Sequence, residues 1–495
     1  MRSPPPVIVL LLSTFLPEAP GEMPSDARAK LLAVGAEKQL FIDDLFFETS
    51  GNVALEVHPP RKTGEKNLRP DRPWESVTLN WFSVMDDAGK CRMWYECYDA
   101  DGWDGSDDTS FCYAESDDAI HWKKPALGLF AYKTDKKNNI LFRMIGPEGG
   151  RSRVHGAHVF KDPTAPADAR YKAVSQGIWS ALDPRHRITG MYSPDGMSWK
   201  RYAEPICQQF ADSQYSGFRD DRLGRYVIYG RVGGRGRALG RSESNDFRRF
   251  ETLKLVLQTD DQDPASSDLY NSAAMKYPYA ANVYLMFPSL FQHKPQTLDI
   301  RLAVSRDGIH WTRPQRVPFI GHGEKGAFDS GSLYMGQGMI RKGNELWQYF
   351  SGSVLRHDED AFKHRNEPAF GRCYSRVVSR LDGFVSADAG EAAGWFVTGP
   401  LTFTGHVLKL NVHVRPGGRL RVGLLDKKGK PIQGRSIPDC IPITGDHIGA
   451  VVRWKTGHDL STLAGKPTKM RVEMNKTSLY AFQFAGAAES AGQDR

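Results

Sequence analysis

Short apolar runs recur along the chain, each cut off by a polar turn. Ile300, Leu302 and Val304 place an apolar residue at every second position, the period of a β-strand rather than a helix. The same order of parts returns in five units. Positions 77–84 lead through Asp86, Asp87 and Gly89 to M-W-Y-E at 93–96. Positions 155–160 lead through Asp162 and Pro163 to 170–172, and 215–218 through Asp220, Asp221 and Gly224 to R-Y-V-I-Y-G at 225–230. Positions 270–275 lead through Pro278 to V-Y-L-M-F at 283–287, and 333–340 through Lys342 and Gly343 to L-W-Q-Y-F at 346–350. Strand, turn, strand, connection, strand, turn, strand, repeated at roughly 50 to 80 residues, predicts blades of four antiparallel strands. The expected fold is all-β: a five-bladed β-propeller over 38–389, opened by a strand at 38–48. After that the texture changes. Alternating runs at 408–414 and 420–425 are separated by the turn signal Pro416-Gly417-Gly418, and Lys427-Lys428-Gly429 follows. This predicts a separate C-terminal β-sandwich over 394–484, with a disordered tail from 485.

One phrase punctuates the units. It reads S-R-D-G-I-H-W at 305–311, S-P-D-G-M-S-W at 193–199 and S-D-D-A-I-H-W at 116–122, with worn copies S-N-D-F-R-R-F at 244–250 and S-R-L-D-G-F at 379–384. Asp-Gly suits a tight turn, because Gly accepts positive φ and Asp bonds nearby backbone. The phrase therefore marks a hairpin and does no chemistry. Trp122, Trp199 and Trp311 should sit at equivalent places in three blades, largely buried.

A length of 495 residues exceeds one ordinary core, in keeping with two units. The net charge of +8 is dispersed, with no Lys/Arg-dense arm, so nucleic acid is not an expected partner. Arg2, the apolar run at 7–12 and the small residues Ala19, Pro20 and Gly21 have the layout of a signal peptide over 1–22. The run is too short to span a bilayer, so the expectation is a secreted or periplasmic protein with no membrane segment and a mature start between 22 and 28. The six cysteines form no C-x-x-C pair; Cys91, Cys97 and Cys112 share one unit and could form one disulfide or remain buried thiols.

Residues just before the innermost strand of each blade should crowd one mouth of the channel. Those places hold Asp71, Trp74 and Glu75; Arg153, His155 and His158; Asp212 and Gln214; Asp268 and Tyr270; and Phe328 and Asp329. Four of five units thus offer a carboxylate. Gathered acids repel and need a cation, a polar ligand or a use for raised pKa values. Paired carboxylates beside aromatic rings are what glycosidic cleavage requires. Glu75, Asp268 and Asp329 are the expected catalytic carboxylates, Glu75 as general acid against the Trp74 ring. Trp74, Arg153, His155, Asp212, Gln214 and Tyr270 would hold substrate. No cofactor is implied and no metal ligand set is visible, although clustered acids could instead hold a structural Ca²⁺. G-R-V-G-G-R-G at 230–236 lacks a βαβ context and is expected to be a plain loop.

Five blades, S-x-D-G-x-x-W turns, mouth acids and a trailing sandwich together resemble the five-bladed-propeller glycoside hydrolases of the family 32, 43 and 68 type. The resemblance covers 38–389. It lacks the W-M-N-D-P-N-G block of family 32; F-K-D-P at 160–163 only echoes that family's R-D-P motif, and its E-C motif is not matched in the third unit. What the resemblance implies is an exported glycoside hydrolase acting on a poly- or oligosaccharide. The alternatives are a non-catalytic carbohydrate-binding propeller and a protein-binding one.

Overall fold

The computed structural model describes residues 31–100, 109–143, 154–180, 183–210, 212–365, 367 and 370–486. The expected signal peptide, Arg153 and the tail from 487 lie outside these residues. The regular elements are β-strands and short 3-10 turns.

Four sheets of four antiparallel strands form propeller-like blades. Sheet I contains Thr78–Asp87, Lys90–Tyr98, Thr109–Ser116 and Ile140–Phe142. Sheet II contains His155–Lys161, Tyr171–Ser180, Asp183–Ser193 and Lys200–Arg201. Sheet III contains Ser216–Asp220, Arg225–Gly234, Gly236–Ser244 and Lys254–Leu257. Sheet IV contains Ala274–Lys276, Tyr284–Met286, Ala303–Ser305 and Trp311–Thr312. The fourth unit departs from expectation at its start: 270–275 is not one strand, and Ser267–Leu269 pairs instead with Ser289–Gln292 in an eight-stranded sheet. That sheet also holds Ser332–Met335, Glu345–Ser353, Cys373–Arg380 and, from near the start of the chain, Arg61–Lys62.

The repeated phrase has a common geometry. The Ser hydroxyl donates to the Asp two residues on, at 2.9–3.0 Å in Ser116–Asp118, Ser193–Asp195, Ser244–Asp246 and Ser305–Asp307. The same Asp oxygen accepts the next two free amides, those of Ile120 and His121 in the first copy. This wraps the chain so that the fourth residue takes positive φ: Ala119, Gly196, Phe247 and Gly308 at 62–77°. The fourth residue then meets a neighbouring sheet. Trp94 of sheet I donates to the Gly196 carbonyl of sheet II at 2.6 Å, and Tyr229 of sheet III to that of Gly308 in sheet IV at 2.7 Å. Tyr349 of the eight-stranded sheet donates to Ala119 of sheet I. Phe247 packs edge-on against Phe160 of sheet II, and Tyr277 beside sheet IV donates to Asp382 in the last copy. The phrase is therefore a latch between sheets as well as a turn. Trp122, Trp199 and Trp311 do belong to three different sheets, but they are half-buried, not largely buried. The Trp199 and Trp311 rings cap the turn from outside, with Nε1 donating to the Gly196 and Gly308 carbonyls at 3.0 and 3.1 Å.

Polar side chains tie the innermost strands together. Gln214 donates to the carbonyl of Phe82, Gln337 to that of Tyr215, and Ser216 meets Ser272 at 2.7 Å.

The second unit is one ten-stranded sheet rather than two separate ones. It takes Leu32–Gly35, Gln39–Leu40, Thr49–Gly51 and Ala54–Val57 from the start of the chain, and the strands from Val385–Ala389 onward from the end. The expected strand at 38–48 is only Gln39–Leu40, followed by a 3-10 turn Asp44–Phe46 capped by Asp43. Pro416-Gly417-Gly418 is not a turn between strands. Val407–Asp426 runs through it as a bulge, with Val414 facing Thr477 and Arg419 facing Asn475. Phe41, Phe396, Leu410, Leu424, Phe482 and Phe484 form the core of this unit. All six cysteines are buried thiols, Cys97 and Cys112 with sulfurs 3.6 Å apart.

Candidate functional site

The mouth is built from the inner strands upward. Trp81 of sheet I, Tyr270 and Tyr334 form an aromatic wall, with ring centroids 4.9 Å apart for Trp81–Tyr334 and 5.5 Å for Tyr270–Tyr334. His155 enters from the first strand of sheet II. Its Nδ1 faces the buried Glu96 carboxylate at 2.7 Å, so Nδ1 carries the hydrogen and Nε2 points to Asp212, 3.6 Å away. Glu96 also accepts from Tyr98 at 2.5 Å and from the Gly156 amide at 3.0 Å. Burial alone would raise the Glu96 pKa, but the His155 charge and these bonds outweigh it and hold the group below its ordinary value. Asp212, about half exposed, is held well below the usual carboxylate range by His155 against the opposing effect of burial, with the Arg231 charge adding to it.

Arg231 and Arg237 stand on the two sides of the hairpin Arg225–Gly234/Gly236–Ser244. Arg231 pairs with Asp212 at 3.2 Å and lies 4.4 Å over the Tyr270 ring. Arg237 pairs with Asp268 at 3.1 Å and lies 5.1 Å over the same ring. Asp268 also accepts the Arg237 amide and meets His293 Nε2 at 3.0 Å. Arg372 lies 4.9 Å over Tyr334. Burial lowers the His357 pKa most, and the charges of Arg237, Arg372 and Arg231 lower it further. Ser213, next to Asp212, has φ 151°, and its carbonyl lies where a side chain on Gly156 would go, 2.2 Å from that Cβ position.

Of the expected residues, His155, Asp212, Asp268 and Tyr270 come together here. The others do not. Glu75 is fully buried, folded back by the 3-10 turn Pro73–Glu75. It accepts from Tyr95 at 2.6 Å and pairs with Lys124 at 2.6 Å. Its pKa is raised, as a general acid requires, but by burial in a closed site. Trp74 is no stacking surface: its Nε1 donates to Asn139 inside sheet I. Asp71 joins the Lys124 pair. Asp329 pairs with Lys62 at 2.7 Å and shares no partner with Asp268. Gln214 lies in the floor with its amide on backbone carbonyls. His158 is a buried acceptor for the Gly217 amide, its pKa lowered by burial to about 3.

Sequence reasoning missed Glu96, Trp81, Arg231, Arg237, Tyr334 and Arg372. Arg231 and Arg237 stand in and beside G-R-V-G-G-R-G, which is a β-hairpin and not a loop. Among the described residues no three His, Cys, Asp or Glu side chains are grouped to hold a metal ion; the mouth acids face arginine and histidine. A cleft of about 460 Å³ between the two largest sheets is lined by Arg61, Glu345, Arg380 and Asp446 and contains none of these groups.

No protein-family model and no curated protein matches the chain. Similar solved structures include a glycosyl hydrolase from Bacteroides ovatus, 14% identical, covering 71% of this chain and 99% of that one at a TM-score of 0.43. Another is described as showing that the GH130 family of mannoside phosphorylases contains glycoside hydrolases that target β-1,2 mannosidic linkages in Candida mannan. It is 15% identical and covers 71% and 99% at 0.44. A third is an N-acetylgalactosamine deacetylase from F. plautii in complex with blood group B trisaccharide, 14% identical, covering 67% and 96% at 0.44. Likeness at this level assigns no chemistry, and the three descriptions do not share one reaction.

Proposed function

We propose that the chain binds a carbohydrate at the propeller mouth and hydrolyses its glycosidic bonds. The observation that supports this most is the half-exposed, ionised Asp212 beside the wall of Trp81, Tyr270 and Tyr334. Trp81 and Tyr334 are buried and set the partly exposed Tyr270, which is the ring of the wall that a sugar would meet. Asp212 would act as nucleophile or water-activating base. Asp268, beyond the Tyr270 ring, would be the second carboxylate: protonated through His293 at 3.0 Å, it would give that proton to the leaving oxygen while Asp212 takes one from the attacking water. Phe210, 61% exposed beside His186, would extend the stacking surface.

A second reading, carbohydrate binding without turnover, is favoured by one fact: Glu96 and Asp212 are both held ionised, so neither is a proton donor. A polysaccharide and aryl-glycoside panel separates the two. Hydrolysis that falls by roughly a hundredfold or more in Asp212→Asn, with folding intact, supports the enzyme. Binding without turnover in the wild type supports the second reading, and neither binding nor turnover defeats both.

We also infer that the eight-stranded sheet supplies a fifth blade. Its support is the latch from Tyr349 to Ala119 and the pairing of Arg61–Lys62 with Cys373–Arg380, which would close the ring. In this reading the ten-stranded sheet is the accessory domain, and the protein is exported after removal of its first 22 or so residues. Intact-mass measurement of secreted protein tests the export, and a retained Met1 would refute it.

A further inference from the structure

We propose that the ligand of the mouth is anionic, a saccharide carrying a carboxylate or sulfate whose oxygens bind between Arg231, Arg237 and Arg372. This rests on the carbohydrate reading above. Two of the guanidiniums come from one hairpin and the third, Arg372, from a distant part of the chain; they converge on one ring pair, 4.4 and 5.1 Å from Tyr270 and 4.9 Å from Tyr334. Arg231 and Arg237 each have a carboxylate, Asp212 and Asp268. Arg372 has none among the described residues. It donates to the Ser332 hydroxyl at 3.0 Å, with weaker approaches to the Ser332 carbonyl and the Ser351 hydroxyl at 3.5 and 3.4 Å.

Stacking explains part of this arrangement, since arginine over a tyrosine face is favourable. It does not explain three cations beside two acids, nor a partly buried guanidinium facing hydroxyls and rings. A cation taken from water needs a counter-charge. An incoming carboxylate or sulfate supplies it through two parallel N–H···O bonds, the geometry for which arginine is better suited than lysine. A neutral sugar would use the acids and rings and leave Arg372 unmatched.

The test uses the full chain and a panel of uronic-acid and sulfated oligosaccharides, each beside its carboxyl-reduced or desulfated counterpart, with inorganic phosphate and sulfate as separate probes. The expected result is binding of charged members at least roughly tenfold tighter than their neutral partners, with the preference lost in Arg372→Met. Arg237→Met, at a partly exposed position, makes the same test if Arg372→Met does not fold. Which members bind distinguishes carboxylate from sulfate. Equal binding of charged and neutral members, or a preference unchanged in both variants, overturns the proposal and leaves the carbohydrate reading standing. No saccharide binding, but stabilisation by phosphate or sulfate that Arg372→Met abolishes, sinks the carbohydrate reading and keeps the oxyanion site. No response to any probe overturns both.

Discussion

Replacing Gly196 with Ala tests the inter-sheet latch. Gly196 has φ +77°, and an added Cβ would lie 2.8 Å from Cζ2 of Trp94. A side chain in the left-handed region costs about 1–2 kcal/mol. The clash adds to this, because Trp94 is 1% exposed and cannot swing away: its Nε1 is bonded to the Gly196 carbonyl at 2.6 Å, and Arg92 stacks on it at 5.0 Å. Forcing atoms into so packed a place costs a further ~1–3 kcal/mol, for a total of about 2–5. Gly224→Ala is the control, since Gly224 has φ +64° and nothing within 4 Å of the added Cβ. It should lose only the backbone part, about 1–2 kcal/mol. Equilibrium urea unfolding followed by tryptophan fluorescence compares the two. Destabilisation of Gly196→Ala no greater than that of Gly224→Ala would refute the latch.

Glu75→Gln should lower stability by about 1–3 kcal/mol, because it removes the buried partner of the Lys124 ammonium, whose side chain is 5% exposed, and leaves it only the exposed Asp71 carboxylate. The double variant Glu75→Gln/Lys124→Met should recover much of that loss, and turnover per folded molecule should not change; lost turnover at unchanged stability would return Glu75 to catalysis. Asp87 concerns acid stability. Burial would raise its pKa, but bonds from Lys161, Tyr171 and Arg92 outweigh burial and lower it to about 2. A depressed carboxylate stabilises the fold above its unfolded value near 3.9, and that contribution fades as pH falls toward about 2. The stability gap between wild type and Asp87→Asn should therefore be constant above about pH 4 and shrink below it; a gap unchanged down to pH 2 would refute the assignment.

What was legible in the chain was local. The phrase contains its own turn, because Ser, Asp and the positive-φ residue bond within six residues. Strand alternation was equally plain. The failures were long-range. Placing Glu75 at the mouth assumed that the chain before an inner strand stays at the channel. A 3-10 turn folds it away to Lys124, 49 residues on, and no local pattern announces that partner. Asp268 and Ala274 were read as one unit, yet their strands belong to different sheets. In 230–236 the glycines drew the reading toward a loop, while the arginines were the functional signal: the hairpin register pairs Gly233 with Arg237 and Arg231 with Leu239, bringing both arginines over Tyr270.

The distribution of polar groups separates what holds the ring from what the mouth is for. The latches from Trp94 and Tyr229 and the links of Gln214 and Ser216 join neutral, buried groups. Stability asks for no charge at the mouth. Solvated ion pairs such as Arg231–Asp212 contribute little, on the order of 0–1 kcal/mol. Yet Glu96 is buried behind His155, Asp268 behind Arg237 and His293, and Asp212 stands next to the strained Ser213. His155, Arg237 and His293 are thus each held by a carboxylate less exposed than themselves. Fixed orientation, rather than stability, is what such pairing supplies, and it matters to a ligand whose own charges must meet groups already in place.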